Sequence, residues 1–120
     1  CRVLVVDDNE DSANSFAELL AIEGITAAVA HDGQAAVRLA SEHEPDAVLM
    51  DIVMPGLNGF QATRQLTKDA DTSHIPVIIV TTKDQETDKV WGKRQGAKDY
   101  LTKPVDEATL LKTLNAVLVG

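Results

Sequence analysis

Three short apolar runs each stop on a polar side chain, and that pattern leaves few folds open. Val3–Val6 runs into Asp7 and Asp8, Ala47–Met50 runs into Asp51, and Val77–Val80 runs into Thr81 and Thr82. Apolar runs of this length, without polar alternation, read as strands covered on both faces. Such strands belong to a parallel sheet between helical layers. Open sheets of this kind bind ligands at the carboxyl ends of their strands. The polar residues that close the runs therefore point to one pocket. Pro55 and Gly56 break the chain just after the central run.

Helical signals fill the gaps between the runs. Residues 9–12 offer N-caps for a first helix, whose apolar stripe is Ala13, Phe16, Ala17 and Leu20. Gly24 stops it, and Ile25–Ala30 is a weaker, alanine-rich strand. Asp32 caps a second helix with Ala36, Val37 and Ala40 inside. Asn58 with Gln61 reads as a capping box for a third, with Ala62 and Leu66 facing the core. Asp84 is expected to cap a fourth helix that stops at Gly96, with Trp91 as packing. Asp99–Leu101 is a short strand, and Asp106 caps a last helix carrying Leu111, Leu114 and Leu118. Val105 and Leu110 bracket that cap as a hydrophobic staple. The order is strand then helix, five times, and the 120 residues read as a single domain.

Charge narrows the function. The chain has 11 basic and 19 acidic residues, a formal charge of −8, which argues against nucleic acid as a partner. No apolar stretch approaches the roughly 20 residues of a membrane span, and no signal peptide is expected, since no charged n-region with an apolar core is read at residues 1–30. The single cysteine, Cys1, makes no internal disulfide, so a cytoplasmic setting is expected. His31, His43 and His74 lie near element ends without ligand spacing and read as solvated.

Three carboxylates at one sheet edge need a counter-charge. Two unit charges ~4 Å apart repel by roughly 4 kcal/mol at an effective dielectric of 20. Lys103, after the fifth strand, supplies one positive charge, and a divalent cation would supply two more. A site of carboxylates and carbonyls suits Mg²⁺, with Mn²⁺ as a substitute. A carboxylate in such a site can attack phosphorus and form an aspartyl-phosphate. Asp51, alone on the central strand, is the expected acceptor. Asp7 and Asp8 are better placed to hold the metal. Lys103, the Thr81 hydroxyl and the N–H groups after Asp51 would neutralise the phosphoryl oxygens.

Asp7 and Asp8, Asp51, Thr81, Tyr100, and Lys103 with Pro104, in this order and spacing, resemble the receiver domains of bacterial response regulators, the CheY-like family. The resemblance covers the whole chain, residues 1–120. It implies a flavodoxin-like (βα)5 sandwich, its five-stranded parallel sheet ordered 2-1-3-4-5 with helices on both faces. It implies a phosphorylation-dependent switch in a two-component phosphorelay. Asp51 would take its phosphoryl group from a histidine kinase or phosphotransfer protein. Asp8, Asp51 and the Val53 carbonyl would ligate Mg²⁺, and Asp7 would assist through water. Thr81 and Tyr100 would form the switch pair, the Tyr100 ring turning inward only once Thr81 has moved. The Lys103–Pro104 bond would be cis. The output would be a protein bound on the face of the fourth helix, fifth strand and fifth helix. Such a module catalyses its own phosphorylation and dephosphorylation but is not otherwise an enzyme. The second half resembles stand-alone receivers of twitching-motility systems, and the first half receivers of hybrid sensor kinases. That contrast suggests a fusion with its seam near Asp51.

Rival classes fit less well. Haloacid-dehalogenase phosphatases place a second acid two residues after the nucleophile, where this chain has Val53. A flavodoxin-like cofactor binder would carry a Ser/Thr/Gly-rich phosphate loop after the first strand, where this chain has Asp7, Asp8, Asn9 and Glu10. A degenerate receiver that only binds proteins is the closest alternative, and the full set of acids with Lys103 argues against it.

Overall fold

The apolar runs are the centre of a five-stranded parallel sheet. A computed structural model describes residues 2–53 and 58–119. Its elements alternate: β1 Arg2–Val6, α1 Glu10–Ile22, β2 Thr26–Ala30, α2 Gly33–His43, β3 Ala47–Met50, α3 Gly59–Lys68, β4 Val77–Thr81, α4 Glu86–Arg94, β5 Asp99–Thr102 and α5 Glu107–Val119. The strands lie in the order β2-β1-β3-β4-β5. All pair in parallel, with Val3 opposite both Ala27 and Ala47. The expected break at Pro55 and Gly56 lies outside the described residues. No described helix is long and apolar enough to cross a membrane.

Period-two alternation divides the apolar runs between two cores. Leu4, Val6, Val48, Met50 and Val77 face α2 and α3 and pack on Ala36, Ala40, Ala62 and Leu66. Val3, Val5, Leu49, Ile78 and Val80 face α1 and α5 and pack on Ala13, Leu20, Leu110 and Leu114. Every residue of β3 is buried, because both faces of the central strand are covered. The edge strand β2 alternates exposed and half-buried residues, and small alanines suffice there.

Most helix starts follow the capping signals. The side chains of Asn9, Asp32 and Asp106 accept N–H bonds from Ser12, Ala35 and Thr109 at 2.9, 2.7 and 2.7 Å. Asn58 and Gln61 form the capping box. Gly24 and Gly96 take the positive φ that ends a helix. Three expectations shift. α4 begins at Glu86, one residue later than an Asp84 cap requires, and its cap Gln85 makes no side-chain cap bond. In α5 the buried pair is Leu110 and Leu114, four apart, so Leu111 falls off the core stripe. Trp91 does not pack inward: it is 49% exposed, beside Val90 at 52%. Gly92 is the α4 residue that meets the sheet, and a Cβ there would lie 2.6 Å from Ile79 Cδ1 and 3.2 Å from Tyr100 Cδ2.

Candidate functional site

Strand geometry brings the acids together. β1 delivers Asp7 and Asp8 where pairing with β2 and β3 ends: the Asp7 N–H bonds to Ala30 and the Asp51 N–H to Val6, at 3.0 and 2.9 Å. Carboxylate oxygens of Asp7, Asp8 and Asp51 all lie within 4.8 Å of one another. Asp7 and Asp51 are buried, while Asp8 is exposed. β5 delivers Lys103, whose N–H bonds to the Thr81 carbonyl at 2.7 Å. The Lys103–Pro104 bond is cis, as the family pattern implies.

Lys103 is the counter-charge. Its ammonium reaches Asp7 Oδ2 at 2.6 Å and Asp51 Oδ2 at 3.2 Å. The other carboxylate oxygens accept backbone N–H bonds, Asp7 Oδ1 from Asn9 at 2.9 Å and Asp51 Oδ1 from Val53 at 3.1 Å. Burial pushes the Asp7 carboxyl up, but hydrogen bonds from Lys103, Asn9 and Ser12 and the Lys103 charge outweigh it and hold it below its ordinary value. Burial pulls the Lys103 ammonium down, and Asp7 and Asp51 together carry it above its ordinary value. The ion pair is thus matched from both sides. Its cost in desolvation is offset because both buried charges are also hydrogen-bonded.

Thr81 and Tyr100 stand beside this cluster and meet through one residue, Lys83, each at a different one of its two peptide groups. The Lys83 N–H approaches the Thr81 hydroxyl at a long 3.5 Å, and the Tyr100 hydroxyl donates to the Lys83 carbonyl at 2.7 Å. Thr81 is fully buried, and Tyr100 is 8% exposed. Both residues are therefore inside in this structure. Burial, and then the charges of Asp88, Asp51 and Asp84, push the Tyr100 phenol up to about 12.

Gly59, Ser12 and Phe16 belong to the site without having signalled it in sequence. A Cβ on Gly59 would collide with the Asp51 carbonyl oxygen and Ile52 Cα, so only glycine lets the start of α3 approach the chain at Asp51. Ser12 Oγ accepts from Lys103 at 3.2 Å, and the Phe16 ring lies 5.8 Å from the same nitrogen. His31 is exposed as expected, yet its ring lies 3.2 Å from the Asp7 carbonyl.

The donor set suits a hard divalent cation. Asp7, Asp8 and Asp51 offer oxygen only, from one open and two buried carboxylates. A single lysine charge leaves three acids under-compensated.

Residues 3–115 match the pattern of the response regulator receiver domain family. Protein PilH of Pseudomonas aeruginosa PAO1 is 68% identical over 119 residues, covering 99% of this chain and 98% of PilH. Response regulator PleD of Caulobacter vibrioides is 38% identical over 97% of this chain and 26% of PleD. Among solved structures, the chemotaxis protein CheY4 of Vibrio cholerae superposes with a TM-score of 0.92 at 31% identity, covering 98% of each chain. The receiver domain of the sensor histidine kinase PA1611 of Pseudomonas aeruginosa PAO1, described with a magnesium ion coordinated in its active site cleft, gives 0.92 at 30% identity, covering 99% of this chain and 98% of that one. The likeness to PilH runs through both halves of the chain, so a fusion with a seam near Asp51 is not supported.

Proposed function

Because this chain belongs to the response regulator receiver domain family, we propose that it is a phosphorylation-dependent switch with Asp51 as its phosphoacceptor. The observation that carries this reading is the Lys103 ammonium shared between Asp7 and Asp51 inside the three-acid cluster. An Asp51 oxygen attacks the donor's phosphorus, the new O–P bond forms, and the donor's bond to phosphorus breaks with its electron pair on the leaving group. Catalysis is then positioning and charge neutralisation rather than acid–base chemistry. Asp51 is held for that attack by the Val53 N–H on one oxygen, which leaves the other facing Lys103. Lys103 follows the charge from the carboxylates onto the phosphoryl oxygens. The Thr81 hydroxyl takes another of those oxygens. Asp8, Asp51 and the Val53 carbonyl would hold Mg²⁺ or Mn²⁺, with Asp7 assisting through water. When bound, the cation supplies the remaining positive charge for the transferring group.

The donor in this reading is a histidine kinase or phosphotransfer protein. The output partner is a protein bound on α4, β5 and α5, where Val90 and Trp91 are exposed. The likeness to PilH supports a place in a twitching-motility system. Tyr100 transmits the change: movement of Thr81 alters the backbone of Lys83, whose N–H faces Thr81 and whose carbonyl accepts from Tyr100.

The test is incubation with acetyl phosphate, with Mg²⁺ or with EDTA, followed by intact mass. One phosphoryl group is expected on the parent with Mg²⁺ and none with EDTA. Asp51→Asn is expected to lose at least about a hundredfold of that modification, because the nucleophile is removed. Unchanged modification of Asp51→Asn sinks the assignment. A parent that takes up no phosphoryl group would be a binding module only.

A further inference from the structure

We propose that Ser12 is a positioning residue that steers Lys103 during phosphoryl transfer, a role that rests on the reading of Asp51 as acceptor. An ammonium has three N–H donors and no acceptor. Lys103 directs its three to Asp7 Oδ2, Asp51 Oδ2 and Ser12 Oγ, at 2.6, 3.2 and 3.2 Å. The Ser12 bond closes a ring of contacts. Asn9 gives its N–H to Asp7 Oδ1, Ser12 gives its N–H to Asn9 Oδ1, and Lys103 joins Ser12 Oγ back to Asp7 Oδ2. The cap of α1 therefore fixes where the Ser12 hydroxyl sits. Phe16, one turn on, places its ring 5.8 Å from the same ammonium, within cation–π reach.

Chemistry singles out Ser12 among the three partners. When acetyl phosphate donates, the Asp51 O–P bond forms, the phosphorus–oxygen bond to acetate breaks, and acetate leaves with the electron pair. Asp51 thereby becomes an acyl phosphate, and Lys103 must exchange carboxylate oxygens for phosphoryl oxygens. Ser12, uncharged and taking no part in the bond changes, keeps its place throughout. Lys103 is a point charge on a flexible stem, and its side chain borders an open groove of about 430 Å³ with Ser12, Phe16, Thr82, Pro104 and Val105. Without the hydroxyl, one N–H turns to water in that groove, and the ammonium spends less time over Asp51.

The experiment times phosphorylation by acetyl phosphate at saturating Mg²⁺ for the parent, Ser12→Ala and Ser12→Thr, each also with Lys103→Ala. Ser12→Ala is expected to slow the reaction roughly three- to tenfold, the range for the loss of one ordinary intramolecular hydrogen bond. Ser12→Thr retains the parent rate. Ser12→Ala has no further effect once Lys103→Ala is present, because its action runs through that ammonium. Thermal melts and Mg²⁺ binding stay at parent values for Ser12→Ala. As a second measurement, solvent exchange of the Lys103 ammonium protons, followed by NMR, is faster in Ser12→Ala and unchanged in Ser12→Thr. This reading also decides if the Lys103→Ala rates are too slow to time. A parent rate together with parent exchange in Ser12→Ala overturns the proposal. An equal loss in the Lys103→Ala background overturns it too, since it marks a packing effect. A parent without phosphoryl uptake refutes the Asp51 reading, and the role of Ser12 with it.

Discussion

The carboxyl ends of β1 and β3 and those of β4 and β5 lie side by side, yet they are held very differently. Around β1 and β3 the polar groups are over-determined. Both oxygens of Asp7 and of Asp51 are bonded, and one lysine ties the two acids together. Around β4 and β5 the ties are few. α4 has nine residues, no side-chain cap and Gly92 as its buried residue, while Val90 and Trp91 face out. Tyr100 and Thr81 are linked through the backbone of a single residue, Lys83, and one of the two bonds is a long 3.5 Å. Rigid chemistry beside a loosely held helix suits a switch. Elements that move are drawn from the weakly packed part of a fold.

Substitutions at matched positions can break this contrast. Gly59→Ala carries the largest expected stability effect, because its Cβ must displace the backbone of Asp51 and Ile52. A loss of about 3 kcal/mol in urea unfolding is expected, the upper range for overpacking, with slower phosphorylation. A loss under about 1 kcal/mol would show that the acid side yields as easily as α4.

Raising pH should affect the Tyr100 side next most strongly. Its folded value of about 12 lies above the ordinary 10.0, so the folded state holds the phenol proton more tightly. That contribution is whole below pH 10.0 and is lost as pH rises through about 12. Stability is expected to fall by on the order of 2 kcal/mol across the window. Tyr100 is the chain's one tyrosine, so phenolate absorbance reports it directly. Ionisation near 10 in the folded protein would place the ring in water.

Gly92→Ala is expected to cost about 1 kcal/mol or less. Its Cβ meets the ends of side chains, Ile79 and Tyr100, which can shift, and alanine favours the helix. A penalty equal to that of Gly59→Ala would erase the contrast. The smallest effect is expected for Trp91→Ser, within about 0.5 kcal/mol by thermal melting followed by circular dichroism. A larger loss would mean that Trp91 supports α4.

Charge and period explain what was legible in the sequence. Asp7, Asp51 and Lys103 stood out because buried strands ended on formal charges, and charges at one sheet edge must answer one another. A parallel sheet with helices on both faces followed from continuous apolar runs in strict alternation with helices, while the strand order came from the family resemblance. Gly59 was silent, since a missing side chain matters only once the strand it approaches is known. Ser12 read as a cap candidate because its contact with Lys103 spans most of the chain. α4 misled for a related reason. Trp91 is its bulkiest apolar residue, but the sheet-facing position belongs to Gly92, and burial there comes from Tyr100 and Phe60 filling the space above it. No local rule places a glycine on the inner face of a helix and a tryptophan on the outer one.

The strand order also has a kinetic consequence. β1 lies between β2 and β3, and its residue Val3 pairs with Ala27 on one side and Ala47 on the other. No strand pairs with a neighbour across a tight hairpin, because every pairing encloses a helix or more. Loop-closure entropy must be met before any ladder forms, which slows folding relative to helical bundles. On a ribosome the first strand emerges with both edges bare and acquires its central partner only after two helices have been made. Val3–Val6, apolar and uncharged, is then open to wrong pairing. The strand that aims Asp7 at the acid cluster is thus also one in need of protection during synthesis.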